Sequence, residues 1–147
     1  MASIQDLKES YKALNDLDDS LDIRSEGTIN AECLIVFDYE YTGQNSEVEI
    51  DTDEFTAVCP WTGLPDFGTL IIKYTPDRHC IELKSLKYYL YSYTNVGIVQ
   101  EHVANRILED LVKVCDPVQM EIIVDYKVRG GLHTVVKSTY NRDTRSS

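Results

Sequence analysis

The ten residues Cys59-Pro60-Trp61-Thr62-Gly63-Leu64-Pro65-Asp66-Phe67-Gly68 constrain the fold more than any other stretch. Pro60 and Pro65 fix φ and carry no amide hydrogen, so this segment cannot be the middle of a helix or a strand. The chain must turn here. The same stretch holds a thiol, Cys59, and a carboxyl, Asp66, seven residues apart. Ordered loops supply a large share of catalytic side chains, which makes the pair worth following.

On either side the pattern is β-prone. Residues 31–41 (Leu34-Ile35-Val36-Phe37, Tyr39, Tyr41) and 47–58 flank a turn at 43–46 and predict two antiparallel strands. Residues 67–74 predict a third strand ending at Pro76-Asp77, and 81–83 a fourth, which runs into a Lys- and Tyr-rich segment, 82–93. The clearest helix follows. Val99, Val103, Ile107, Leu111 and Val114 form one stripe, with Ala104, Leu108 and Cys115 beside it, Asn95 as N-cap and Pro117 as terminator. Strands over 119–128 and 132–140 then meet at Arg129-Gly130-Gly131, a hairpin signature. At the other end, Ile4, Leu7, Tyr11 and Leu14 predict a short amphipathic helix before an acidic turn, 16–22. The expectation is one α+β domain over 1–147, with 1–21 a helical arm and 141–147 a disordered tail.

Lys plus Arg number 14 against 25 Asp plus Glu, a net charge of −11 that repels nucleic acid and anionic membranes. An anionic ligand therefore needs a local basic patch. The acidic run Glu47, Glu49, Asp51, Asp53, Glu54 is expected to face solvent. No run reaches the roughly 20 apolar residues of a membrane span, and residues 1–18 lack the apolar centre of a signal peptide. Cys33, Cys59, Cys80 and Cys115 are too scattered for a zinc pair or a disulfide framework, so a cytoplasmic protein without metal is expected.

Four constellations carry possible chemistry. Cys59 is either a small core residue or a nucleophile at the mouth of a turn whose amides lower its pKa. Asp66 either forms the turn or moves protons. Glu101 sits in the first turns of the long helix on its apolar side, where it either complements the dipole or accepts from paired N–H groups such as a guanine edge. Finally, Lys84 and Lys87, with Arg129 and the open amides of Gly130-Gly131, are what an acidic chain needs to hold a phosphorylated cofactor.

The octet Glu82-Leu83-Lys84-Ser85-Leu86-Lys87-Tyr88-Tyr89 resembles the signature of the NADPH-dependent nitrile reductases of queuosine biosynthesis, the QueF-type 7-cyano-7-deazaguanine reductases. Their nucleophile loop is similar to Cys59-Pro60-x-Thr62-x-x-Pro65-Asp66-Phe67-Gly68, and Asn95-x-Gly97, Glu101, Asn105 and Arg129-Gly130-Gly131 continue the resemblance in order. It spans about residues 33–131.

The resemblance implies a tunnelling fold, in which an antiparallel sheet with packed helices assembles into a ring barrel, here a decamer of two pentamers with sites between subunits. It implies that Cys59 attacks the nitrile to form a thioimide, that Asp66 moves protons, and that two hydrides from NADPH complete the reduction to the 7-aminomethyl base. Glu101, Gln100, Glu82 and Ser85 would bind the substrate; Lys84, Lys87, Arg129 and Gly130 would bind NADPH. Covalent capture makes chemical sense, because a thiolate converts a poor hydride acceptor into an imine-like centre. One position departs: the family often has His where this chain has Gln100. Gln cannot shuttle a proton at neutral pH, and His102 lies roughly 200° around the helix. Two other readings are an amidine-forming relative that acts on nitrile-bearing tRNA, which would lack the octet, and a non-catalytic purine- or pterin-binding oligomer.

Overall fold

The computed structural model describes residues 3–18 and 23–145. Its elements in chain order are α1 (Ile4–Asp18), β1 (Val36–Asp38), β2 (Val48–Val58), β3 (Pro65–Thr75), β4 (His79–Ile81), α2 (Leu83–Tyr91), α3 (Gln100–Cys115), β5 (Gln119–Tyr126), β6 (Val135–Asn141) and α4 (Arg142–Arg145). This is an α+β chain.

The main sheet has four antiparallel strands in the order β2-β3-β5-β6. Period-two alternation assigns its faces. Along β3, Asp66, Gly68, Leu70, Ile72 and Tyr74 are buried, and along β5 so are Met120, Ile122, Val124 and Tyr126. Helix α3 covers β5 and β6 with Val103, Ala104, Ile107, Leu111 and Cys115. Of the stripe expected from spacing, Val103, Ala104, Ile107, Leu111 and Cys115 are buried, while Val99, Leu108 and Val114 are half-buried. Tyr89 and Tyr93 complete this core, their rings edge-on at 5.4 Å, and the Tyr89 hydroxyl donates to Asp110 Oδ2 at 2.6 Å. The acidic residues of 47–54 are exposed. No described helix is long and apolar enough to cross a membrane.

Several local expectations are corrected. Residues 31–41 do not pair with β2. Residues Ala31–Cys33 form a 3-10 turn, capped by the Asn30 side chain accepting from the Cys33 amide at 3.2 Å, which leaves β1 only three residues. That short strand pairs with β4, Val36 opposite Ile81, and bonds between Tyr39 N and Arg78 O and between Glu82 N and Ile35 O extend the pairing. The fourth strand closes at Ile81, and the Lys- and Tyr-rich segment is helix α2. Its N-cap is Glu82, whose carboxylate accepts from the amides of Lys84 and Ser85.

Asn95 is not the N-cap of α3. It sits in the left-handed region at φ 63°, and Val96–Ile98 run extended beside the end of β2, with Val58 N donating to Val96 O and Ile98 N to Val58 O. The helix starts later, with Val99 as its cap residue. At the C-terminus, where 141–147 were expected to be disordered, Asn141 ends β6 and Arg142–Arg145 form α4, held by Arg142 donating to Asp77 Oδ2 at 2.9 Å and to Asp116 O at 2.6 Å, while residues 146–147 lie outside the described residues. The expected N-terminal helix is present as α1, with Ile4 and Leu7 exposed, while residues 19–22 of the acidic turn lie outside the described residues.

Candidate active site

Strand β2 delivers Cys59 into a loop of six residues before β3 begins at Pro65. Proline is tolerated there because a strand's first residue can do without its donor. The loop closes on itself: Cys59 N donates to Leu64 O at 3.0 Å, and Gly63 N donates to Cys59 O at 2.8 Å. Gly63 has φ 70°, a left-handed value that a Cβ would disfavour. The turn is thus shorter than its sequence implied. Asp66 lies within β3, paired in register with Ala57, and faces the core.

Cys59 is 8% exposed and Asp66 5%. Arg129 reaches them from the β5–β6 hairpin, where Gly130 (φ 60°) and Gly131 (φ 80°) make the turn. Its Nη1 donates a hydrogen bond to Asp66 Oδ1, and its guanidinium lines the same cleft as Cys59. Burial pushes the Cys59 thiol up. The Thr62 hydroxyl, the Thr62 and Trp61 amides and Arg129 outweigh it and bring the thiol down from 9.0 to about 7. Near neutrality a large fraction is therefore thiolate, the nucleophilic form.

Helix α3 supplies the opposite wall. Val99, Gln100 and Glu101 line the same cleft as Cys59, Asp66 and Arg129, closed further by Leu132 and Thr134. Glu101 was expected to project from the apolar side of α3; it is exposed at the cleft. Two contacts fix this first turn: the Tyr126 hydroxyl donates to Gln100 O at 3.2 Å, and the Asn105 amide to Glu101 O at 2.9 Å. Trp61 stands at the rim, 82% exposed.

The structure thus gathers Cys59, Asp66, Gln100, Glu101 and Arg129, with Gly130 in the adjoining turn. It does not bring the octet to them within one chain. Glu82, Lys84, Ser85 and Lys87 are absent from the lining of this cleft. Both Glu82 oxygens are taken by amides of α2, which hold that carboxyl below its usual range. The Ser85 hydroxyl donates to Glu82 O at 2.8 Å and accepts from Ile35 N at 3.0 Å. Lys84 and Lys87 are exposed. Arg129, grouped with these lysines by charge in the sequence, is instead bound to Asp66 in the cleft that Cys59 lines. A more apolar groove between β2 and α2, lined by Ile50, Phe55, Leu86 and Leu90, contains no cysteine.

Sequence reasoning used Thr62 only as a motif position and assigned Trp61 and Tyr126 no role. The Thr62 hydroxyl three residues after a loop cysteine was a usable signal. Tyr126 was not, since period-two spacing in β5 marks it only as core.

An antiparallel sheet and a long helix thus bring a thiol of lowered pKa and a buried carboxyl group to one cleft. A family model described as QueF-like protein matches residues 65–145, and the chain belongs to that family. Among its relatives, the NADPH-dependent 7-cyano-7-deazaguanine reductase of Caldicellulosiruptor bescii is 52% identical over 121 residues, 82% of this chain and 92% of that protein. The protein of the same name from Chlorobaculum tepidum is 47% identical over 114 residues, 78% of this chain and 97% of its own length. The crystal structure of an archaeosine synthase QueF-Like in the apo form aligns with a TM-score of 0.60 over 64% of this chain and 92% of that one; at 22% identity the likeness is one of fold.

Proposed function

We propose that this chain is an NADPH-dependent oxidoreductase that reduces the nitrile of 7-cyano-7-deazaguanine to the aminomethyl group, a step of queuosine biosynthesis in the cytoplasm. The observation that carries the reading is the convergence of Cys59, Asp66 and Glu101 on one cleft in a chain about half identical to proteins bearing that name.

Cys59 sulfur bonds to the nitrile carbon as one C≡N π bond breaks, and the thiol proton passes through Asp66 to the nitrogen, leaving a thioimide. NADPH, when bound, supplies the hydrides. Cys59 would hold the carbon through its first reduction and then leave as thiolate, and Asp66 would deliver the protons that the nitrogen takes up. Glu101 accepts from the paired N–H groups of the base edge with Gln100 beside it, and Glu82 and Ser85 would come from the octet of a second copy. Gln100 bonds without titrating, so it moves no proton.

The residues present fit a dinucleotide phosphate. Lys84 and Lys87 are exposed on α2, and Gly130 offers its amide in an open turn where an added Cβ would meet nothing within 4 Å. These groups and Arg129 would hold NADPH. Because the octet is not in the cleft of its own chain, the octet of a second copy would complete the site. The arrangement that supplies one is a tunnelling-fold ring, two pentamers forming a decamer, with 1–147 as one module and 1–21 as an arm. Among the described residues no strand pairs with the outer side of β6, and on the outer side of β2 only Val96–Ile98 run alongside, at Val58, which supports strand pairing between copies.

Intact-mass measurement after mixing the protein with 7-cyano-7-deazaguanine alone tests the chemistry. The expected result is a gain equal to the whole base, absent from Cys59→Ala, which still binds the base. A wild-type mass that stays unchanged overturns the reading and favours a non-catalytic binding protein. An adduct that never consumes NADPH would point to the amidine-forming relative.

A further inference from the structure

We propose that Arg129 is a positioning residue for the nucleophile: from the tip of the β5–β6 hairpin it holds the Asp66 carboxylate and sets a cation in the cleft that Cys59 lines. This goes beyond a cofactor contact and rests on the reading of Cys59 as nucleophile.

The three groups come from three separate parts of the fold: the loop after β2, the start of β3, and a turn 63 residues beyond Asp66. A guanidinium presents several N–H donors in a fixed fork, so one side chain can hold a carboxylate oxygen and still have donors to spare in the cleft. Asp66 needs such a partner. Its side chain is 4% exposed, and a buried carboxylate without a cation is costly. Arg129 itself is 43% exposed at its side chain, on a turn with open space around both glycines. It can therefore make room for a ligand without disturbing the core.

The charges around Cys59 make the role specific. Asp66 faces it from β3 and Glu101 from the first turn of α3, both acidic. The Tyr126 phenol, from β5, is pushed up by burial and stays neutral. Arg129 is the one cation that lines the cleft among the described residues. Without it a Cys59 thiolate would face two carboxylates with no counter-charge, and the thiol form would be favoured. The Thr62 and Trp61 groups would remain, so the loss is partial.

The test is the pH profile of Cys59 alkylation by iodoacetamide in the full chain, read peptide by peptide by mass. It needs neither substrate nor cofactor, so it can fail while the proposed reduction stands, and the reverse. The wild-type rate is expected to reach half its maximum near pH 7. In Arg129→Met the midpoint should rise by about half a unit, a roughly threefold slower reaction below the midpoint, with Arg129→Lys between the two. The much slower labelling of Cys33, which lies against Asn30 and Ser85, serves as the folding control and should not change. A midpoint that stays put in Arg129→Met, with Cys33 unchanged, overturns the proposal. A raised KM for NADPH in that variant would then leave Arg129 as a cofactor contact alone.

Discussion

The hydroxyl of Tyr126, at the end of β5, donates to the carbonyl oxygen of Gln100, the first residue of α3, at 3.2 Å. This bond ties the floor of the sheet to the wall of the cleft that presents Glu101. Tyr126 can lie there because its neighbour on β3 is Gly68, where a Cβ would come within 3.1 Å of Asp125 O and 3.4 Å of the Tyr126 ring. A backbone choice on β3 therefore sets where a carboxylate on α3 stands.

Tyr126→Phe keeps the ring and deletes the bond. It should cost about 1 kcal/mol of stability. KM for the base should rise several-fold with little change in kcat, because the first turn of α3 loses its tether while Cys59 and Asp66 keep theirs. Thermal melts and steady-state kinetics check both parts.

Glu101→Gln replaces one acceptor oxygen with a donor while it preserves size. An ionic hydrogen bond to the base edge contributes about 1.5–3 kcal/mol, so KM for 7-cyano-7-deazaguanine should rise by roughly 10- to 100-fold. Cys59 alkylation should continue. An unchanged KM would remove Glu101 from substrate recognition.

Cys59 also links stability to pH. Its folded pKa of about 7 lies below the 9.0 of an unperturbed thiol, so between these values the unfolded chain binds a proton that the folded chain does not. The contribution is absent below about pH 7, grows as pH rises and is complete above about pH 9. The difference in Tm between wild type and Cys59→Ser should therefore widen in favour of wild type across that window. A constant difference would mean that the thiol is not depressed.

Much of the fold could be read locally. The α3 stripe, the turn at Cys59 and the hairpin at Arg129-Gly130-Gly131 rest on side-chain periodicity and φ preferences that act over a few residues. What escaped was non-local or ambiguous. Tyr88, Tyr89, Tyr91 and Tyr93 favour strands by propensity, yet Glu82 caps the segment and Leu86 and Tyr89 bury one face, so tertiary packing makes it helix α2. Three residues of β1 could not declare β4 as their partner. In the cleft, Cys59 and Asp66 were visible as neighbours in one loop, and Glu101 from its place on α3. Arg129 was seen as a cation beside open amides, but its bond to Asp66 spans 63 residues and carries no sequence signal.

The most direct measurement is the ratio of NADPH oxidised to 7-cyano-7-deazaguanine consumed, followed by nicotinamide absorbance and product mass. Reduction of a nitrile to an amine takes two hydrides, so the account predicts two NADPH per base and a 7-aminomethyl product, with no turnover by Cys59→Ala. No oxidation of NADPH by the wild-type protein, or full turnover by Cys59→Ala, would contradict it.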